Sequence, residues 1–375
     1  MSSIGVSVPI DIDNAARELL RIGLLGPQAI IERNLTVVDV SRRNRNLRIT
    51  QKDGPNFFLK QTMGRSQEDV LYIVREANFY RFVESLDGDS GISALFPRLE
   101  YINIADGLLI TELVDNAETL GSYISGNSET IEEALFLLGE KLRLIYSSFE
   151  AVTSTHEDNN VRGLGRQLPW IMHVHEPSPE IMSTLSPSNH EVLRIIQGDG
   201  DLCMSIGHAR TLWRPETIIS SDMKLDNVLI TRTPGGSHGV VFVDWELVQV
   251  GDACWDLSGI VQDLIIFWIN SMQHMGDVAS MISTNAFKLE QMQRWIRSLW
   301  TGYCSSADFP PGYGAAALTR LVHFTAVRLI QSAYERQHTA VSMSSAAVLA
   351  LQVSKNMFAN PEDAQVRLLG LYNWL

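Results

Sequence analysis

Three oxygen-bearing side chains carry the first sign of chemistry. Asp222 and Asn227 lie in the stretch SSDMKLDN that begins at Ser220, and Asp244 ends the run VVFVD. Carboxylate and amide oxygens suit a hard divalent cation such as Mg²⁺, and a further carboxylate nearby suits the orientation of a hydroxyl for attack on a phosphoryl group. The pattern predicts phosphoryl transfer from ATP. In that chemistry Asp222 accepts the proton of the attacking hydroxyl, and Asn227 and Asp244 hold Mg²⁺ against the phosphates. Lys224, two residues after the acid, neutralises charge on the transferred group. Lys60, at the end of FFLK, is expected to meet the α- and β-phosphates with Glu76 as its ion-pair partner.

These residues need strands and helices to place them. Ile218 and Ile219 before the loop, and Val228 to Ile230 after it, read as short strands; Gly235 and Gly236 mark a turn before a returning strand over 240–243. A carboxylate closing an apolar strand is unfavourable without a compensating cation. Upstream, residues 14–33 read as a helical lead-in, and 36–40, 47–50, 57–60, 98–103 and 108–112 as five strands. Asp53 and Gly54 are the hairpin signal between two of them. Ser66 to Asp69 is a capping box, and Val70, Ile73, Val74 and Ala77 follow on one helical face, with Glu76 at its margin. From Thr119 onward the pattern is mainly helical, over 131–149, 190–213, 256–272, 288–303, 315–338 and 344–358, with 153–189 as an irregular insertion. The fold class is therefore α+β in two lobes. Residues 1–114 form a small antiparallel sheet with one key helix, and residues 115–375 a larger, mostly α-helical lobe that carries the catalytic loop.

The whole composition sets limits. A chain of 375 residues with 45% apolar content can fill more than one core. A net charge of −13 opposes general binding to nucleic acid or to anionic membranes, both of which need a basic field. The N-terminus carries Asp11 and Asp13 where a signal peptide is apolar, and no apolar run approaches the roughly 20 residues that span a bilayer. Cys203, Cys254 and Cys304 are widely spaced and read as ordinary thiols of a reducing compartment, so a cytoplasmic location is expected. Asp226 and Glu246 read as solvated acids, Asp252 as a turn acid, and Trp245 and Trp255 as core.

The SDMKLDN loop and the DWE and GDACWDL segments resemble the aminoglycoside phosphotransferase and choline kinase superfamily, which has the protein-kinase-like fold. The resemblance is strongest over 220–263 and extends to the elements that carry Lys60, Glu76 and Glu112. It implies that Asp222 is the catalytic-loop acid and that Asn227 and Asp244 bind metal. It further implies that Glu112 to Val114 contact adenine through backbone groups, and that Asp256 braces the catalytic loop besides capping its helix. Within that superfamily the loop is most similar to kinase-like proteins of lanthipeptide and thioamitide pathways. That likeness implies phosphorylation of Ser or Thr in a precursor peptide alongside a partner lyase; a small-molecule hydroxyl is the other acceptor class.

Two departures stand out. The family begins this loop with His-Gly-Asp, and here the residues are Ser220, Ser221 and Asp222. The first hairpin tip, from Ser41 to Asn46, has no glycine, so phosphates would be met by side chains such as Ser41, Arg43 or Asn46. Both departures motivate an alternative, a pseudokinase scaffold that binds nucleotide or peptide and activates a partner enzyme.

Overall fold

The computed structural model describes residues 9–32, 34–42, 44–64, 66–86, 91–126, 129–155, 163–177, 185–232, 238–272, 285, 287–305, 312–336, 340 and 342–372. The described residues form two compact units. One is the chain up to Leu120 together with Asn227–Val248; the other is Gly121–Asp226 together with Gln249–Leu375. The sequence reading has one break, after residue 114, whereas the units are discontinuous. No helix among the described residues is long and apolar enough to cross a membrane.

The first unit contains a five-stranded antiparallel sheet in the order β1-β2-β3-β5-β4, made of β1 (Leu35–Asp39), β2 (Arg45–Gln51), β3 (Phe57–Gln61), β4 (Leu99–Asn103) and β5 (Leu108–Glu112). All five expected strands are present, and Gly54 in the turn from β2 to β3 has φ 139°, a value that disfavours side chains. Alternation along the strands sends Leu47, Ile49, Phe57, Leu59, Leu108 and Ile110 into one core with Ala15 and Leu19 of helix α1 (Ala15–Arg21), ahead of the short α2 (Pro27–Ile31). Lys60 follows Leu59 and so faces the other way, level with Asn46 on β2 and Leu109 on β5.

Helix α3 (Gln67–Ser85) starts at the expected capping box. Ser66 Oγ accepts the Asp69 N–H at 3.1 Å, and Asp69 Oδ2 accepts the Ser66 N–H at 3.2 Å. Ile73 and Ala77 are fully buried, and Glu76, expected at the margin of the face, is buried as well. A second, three-stranded sheet in this unit joins β6 (Ala117–Thr119), β8 (Val228–Arg232) and β9 (His238–Phe242). Val228 pairs with Phe242, and the Asn227 carbonyl accepts the Val243 N–H at 3.0 Å. Asp244 therefore leaves the ladder at the end where Asn227 enters it.

The other unit pairs β7 (Thr217–Ile219) with β10 (Gln249–Gly251) beside helices α4 (Leu120–Ser125, whose first residue belongs to the first unit), α5 (Ile131–Thr155), α6 (Pro187–Gln197), α7 (Gly200–Thr211), α8 (Ala253–Asn270), α9 (Leu289–Cys304), α10 (Tyr313–Glu335) and α11 (Ser345–Ala359). The single helix expected over 190–213 is two, because Asp199 caps a new start by accepting the Leu202 N–H at 3.1 Å. The helix expected from Asp256 begins three residues earlier. Asp252, with extended backbone, is its cap and accepts the Cys254 N–H at 3.0 Å, so Asp256 is a first-turn residue and caps nothing. Of the insertion, residues 156–162 and 178–184, with Glu157, Asp158 and Glu180, lie outside the described residues, as do Gly235 and Gly236.

Ser66→Ala removes one half of the box at the start of α3 and should lower stability by about 1 kcal/mol in urea unfolding. An unchanged midpoint would show that the cap contributes nothing.

Candidate active site

In the first unit the Lys60 ammonium lies 2.8 Å from Glu76 Oε2, 2.5 Å from Asp244 Oδ1 and 2.8 Å from Glu246 Oε2. The sequence reading placed Glu246 in solvent; it is instead a close partner of Lys60, with its side chain only 12% exposed. Trp245, between the two acids, fixes both of them. Its ring stacks on Phe79 at 4.1 Å and 8°, and meets the edge of Phe96 at 5.3 Å. Phe79 is one turn beyond Glu76 on α3, so one aromatic contact sets the distance between Glu76 and the chain at 244–246. Tyr80 donates its hydroxyl to Glu76 Oε1 at 3.0 Å.

Burial alone would lower the Lys60 pKa, but attraction by Glu76, Asp244 and Glu246 holds it well above the usual lysine range. Lys60 therefore stays charged. The Glu76 carboxyl is pushed up by burial and by repulsion from Asp244 and Glu246, against the pull of Lys60. Carboxylate oxygens of Glu76, Asp244 and Glu246 all lie within 4.8 Å of one another. One ammonium against three carboxylates leaves an excess of negative charge, and the all-oxygen donor set fits a hard divalent cation such as Mg²⁺. Asp244 also has φ 63°, an uncommon backbone for a residue with a side chain.

Glu112 ends β5, where its N–H donates to the Arg98 carbonyl at 2.9 Å, and the Leu113 N–H donates to the Asn56 carbonyl at 2.9 Å; Val114 follows, half-buried. At the first hairpin tip the Ser41 hydroxyl accepts the Asn46 N–H at 3.0 Å, and the Ser41 N–H donates to Asp39 Oδ1 at 2.8 Å. Ser41 thus closes the turn itself. Arg43 lies outside the described residues. Asn44 Nδ2 donates to Glu246 Oε2 at 3.3 Å, which ties the tip to the Lys60 cluster.

In the other unit the loop that carries Asp222 hangs from helix α8 by its backbone. Asp256 accepts the Ser220 N–H at 2.7 Å and the Ser221 N–H at 2.9 Å, and Tyr146 donates its hydroxyl to the same carboxylate at 3.0 Å. Asp263 accepts the Leu225 N–H at 3.0 Å. Asp222 Oδ2 and Lys224 Nζ form an ion pair at 2.6 Å. Ser221, where the family pattern has glycine, takes φ 67°, and its carbonyl accepts from Trp255 Nε1 at 3.2 Å and from Arg328 Nη2 at 3.1 Å. Trp255 is core, as expected, and also a donor. Gly259 permits this packing: a Cβ there would come within 2.1 Å of the Met223 carbonyl oxygen.

Burial pushes the Asp256 pKa from 3.8 to about 6, opposed by Arg328 and by the bonds from Ser220, Tyr146 and Ser221. Burial likewise raises Asp263 and lowers Arg328. Asp263, Gly259 and Arg328 escaped the sequence reading. A signal existed for Asp263, an acid two helical turns after Asp256 in an otherwise apolar run, and for Arg328, a lone cation within FTAVRLI. The three cysteines are free thiols, and burial pushes Cys304 up to about 12.

No protein-family model matches the sequence, and no curated protein is similar to it. Solved structures do match. A choline/ethanolamine kinase family protein from Mesorhizobium loti is 16% identical with a TM-score of 0.55, covering 96% of this chain and 98% of its own. The amicoumacin kinase hAmiN, in complex with AMP-PNP, Ca²⁺ and Ami, is 14% identical with a TM-score of 0.54 over 92% and 93%. An ADP-bound aminoglycoside phosphotransferase, APH(2'')-Ib, is 13% identical with a TM-score of 0.51 over 93% and 99%. At these identities the likeness shows a shared fold. The chain has the protein-kinase-like fold of choline kinases and aminoglycoside phosphotransferases, as its motifs imply.

Gly259→Ala should displace the loop at Met223 and lower stability by about 1–3 kcal/mol; wild-type unfolding would show that the loop yields freely. Asp256 gives a pH signature. Its folded pKa is raised, so the stability tied to its protonated form is present below about pH 4 and lost as pH rises through about 6. The advantage of wild type over Asp256→Asn in urea unfolding should shrink by about 2 kcal/mol from pH 4 to pH 7. An advantage that grows with pH would mean that Arg328 and the amides outweigh burial.

Proposed function

We propose that the protein is an ATP- and Mg²⁺-dependent phosphotransferase that moves the γ-phosphate to a hydroxyl acceptor. The observation that carries this reading is the buried Lys60–Glu76 ion pair with Asp244 and Glu246 around the same ammonium. A lysine placed among acids in this way supports both phosphate contact and cation binding, and the shared fold with kinases supports the same reaction class. Bound MgATP supplies the transferable phosphoryl group and part of its counter-charge.

In this reading Asn227 and Asp244 hold the metal, while Lys60, kept charged and oriented by Glu76, meets the α- and β-phosphates. Glu112 and Val114 offer backbone groups to the adenine, and Ser41 and Arg43 belong to the hairpin over the phosphates. Asp222 orients the acceptor hydroxyl and takes its proton, and Lys224, already paired with that acid, stands ready to balance charge on the transferred group. Asn227 follows Asp222 after four intervening residues, so the chain itself links the acid to the metal ligand. Lobe limits of 1–114 and 115–375 and a cytoplasmic location belong to the same reading. A small-molecule hydroxyl is the acceptor class favoured by the structural likenesses; a precursor peptide handed on to a lyase is the other. The pseudokinase alternative draws on Ser220 in place of histidine.

MgATP should raise the melting temperature of wild type, and Asp244→Asn should abolish that rise. With a panel of hydroxyl acceptors, Asp222→Ala should reduce phosphate transfer on the order of 10²-fold or more while leaving the MgATP-induced rise in place. Equal transfer by Asp222→Ala and wild type would remove Asp222 from the chemistry. A rise with no transfer to any acceptor would favour the pseudokinase.

A further inference from the structure

The Ser221 carbonyl carries two buried donors that the proposed chemistry does not use. Trp255 Nε1 and Arg328 Nη2 reach it from helices α8 and α10 at 3.2 and 3.1 Å, and the Arg328 guanidinium lies over the Trp255 ring at 4.2 Å. Arg328 is 4% exposed, and its Nε has no hydrogen-bond partner. A guanidinium is taken out of water only where something holds it, and here the holders are a ring face, the Ser221 carbonyl, the Gln331 side-chain oxygen at 3.4 Å from Nη1, and the field of Asp222, Asp256, Glu335 and Asp263. Ser221 sits at φ 67° with a buried hydroxyl that makes no bond, so its own side chain does not stabilise that backbone. The two N–H groups at Ser220 and Ser221 are held from one side by Asp256, and the carbonyl from the other by Arg328 and Trp255. Ser221 is thus held at both its N–H and its carbonyl.

We propose that Arg328, with Trp255, is a positioning residue that sets the direction of Asp222 by gripping the Ser221 carbonyl in its left-handed conformation. Ser220 stands where the similar loops have histidine, and its side chain offers this peptide only a 3.4 Å contact with the Asp222 N–H. The orienting force comes instead from α10, about a hundred residues further along the chain. Releasing the carbonyl lets the 221–222 peptide rotate toward an extended conformation and carries the Asp222 carboxylate with it. The effect on rate rests on the phosphotransferase reading; the effect on the loop does not.

The test uses the full chain with Arg328→Met, Arg328→Lys and Trp255→Phe, which keeps an aromatic ring but removes the indole N–H together with part of the ring system. Phosphate release from MgATP, with water as acceptor, is measured together with the MgATP-induced thermal shift and amide hydrogen exchange. Arg328→Met should lower kcat about ten- to a hundredfold, with KM for ATP and the thermal shift within about twofold of wild type. Exchange over residues 220–225 should quicken about tenfold while that over 45–61 stays unchanged, and Arg328→Lys should recover part of both losses. Unchanged exchange over 220–225 in both Arg328→Met and Trp255→Phe would overturn the proposal, as would a uniform quickening throughout α8 and α10. If Arg328→Met does not fold, Arg328→Lys and Trp255→Phe decide on the same exchange criterion. If wild type releases no phosphate to water, the exchange data alone decide the clamp, and the phosphotransferase reading is decided separately by transfer to the hydroxyl acceptors.

Discussion

A charged lysine among three carboxylates is the constraint on which the first unit depends. Burying Lys60 alone would drive it neutral, and burying Glu76 alone would protonate it; together they persist as an ion pair that Asp244 and Glu246 reinforce. Such a pair is tolerable only with tight geometry. The stacking of Trp245 on Phe79, the β2–β3–β5 register and the capped start of α3 all serve to hold that geometry. The excess negative charge left over is what the cation of the proposed function would balance.

The second unit solves a different problem, which is to hold a short polar loop in one shape. It does so through main-chain groups rather than side-chain packing. Asp256 and Asp263 on α8 take loop N–H groups, Trp255 and Arg328 supply donors to a loop carbonyl, and Gly259 clears the space for Met223. Ser221 and Asp244, like Asn116, adopt left-handed backbone without being glycine. Each such residue costs about 1–3 kcal/mol, which the surrounding hydrogen bonds and aromatic packing offset.

Much of this was legible in the residues. The five strands, the capping box at Ser66 and the loop acids announce themselves because each rests on local pattern: alternation, turn chemistry, or a carboxylate where an apolar strand ends. The Lys60–Glu76 pair was legible as an expectation, since a lysine on an inward strand and a glutamate on the following helix are joined by one crossing. Glu246 and Arg328 were not. Their surroundings are assembled from positions far apart in sequence, and a charged residue looks solvated until its partners are in place. The same holds for Asp252 and Asp256: both precede an apolar helix, and only backbone dihedrals tell the cap from the acid one turn further in.

The discontinuous first unit has a consequence for biosynthesis. Lys60 and Asp244 are 184 positions apart, and the hairpin that carries Asp244 and Glu246 belongs to the unit whose other members end at Leu120. During vectorial translation the β1–β5 sheet and α3 emerge long before their remaining carboxylates do. The nascent segment must shelter a half-compensated lysine while more than a hundred residues of the second unit are still being made. High contact order of this kind slows completion of a fold and lengthens the interval in which an unfinished polar core is open to chaperones.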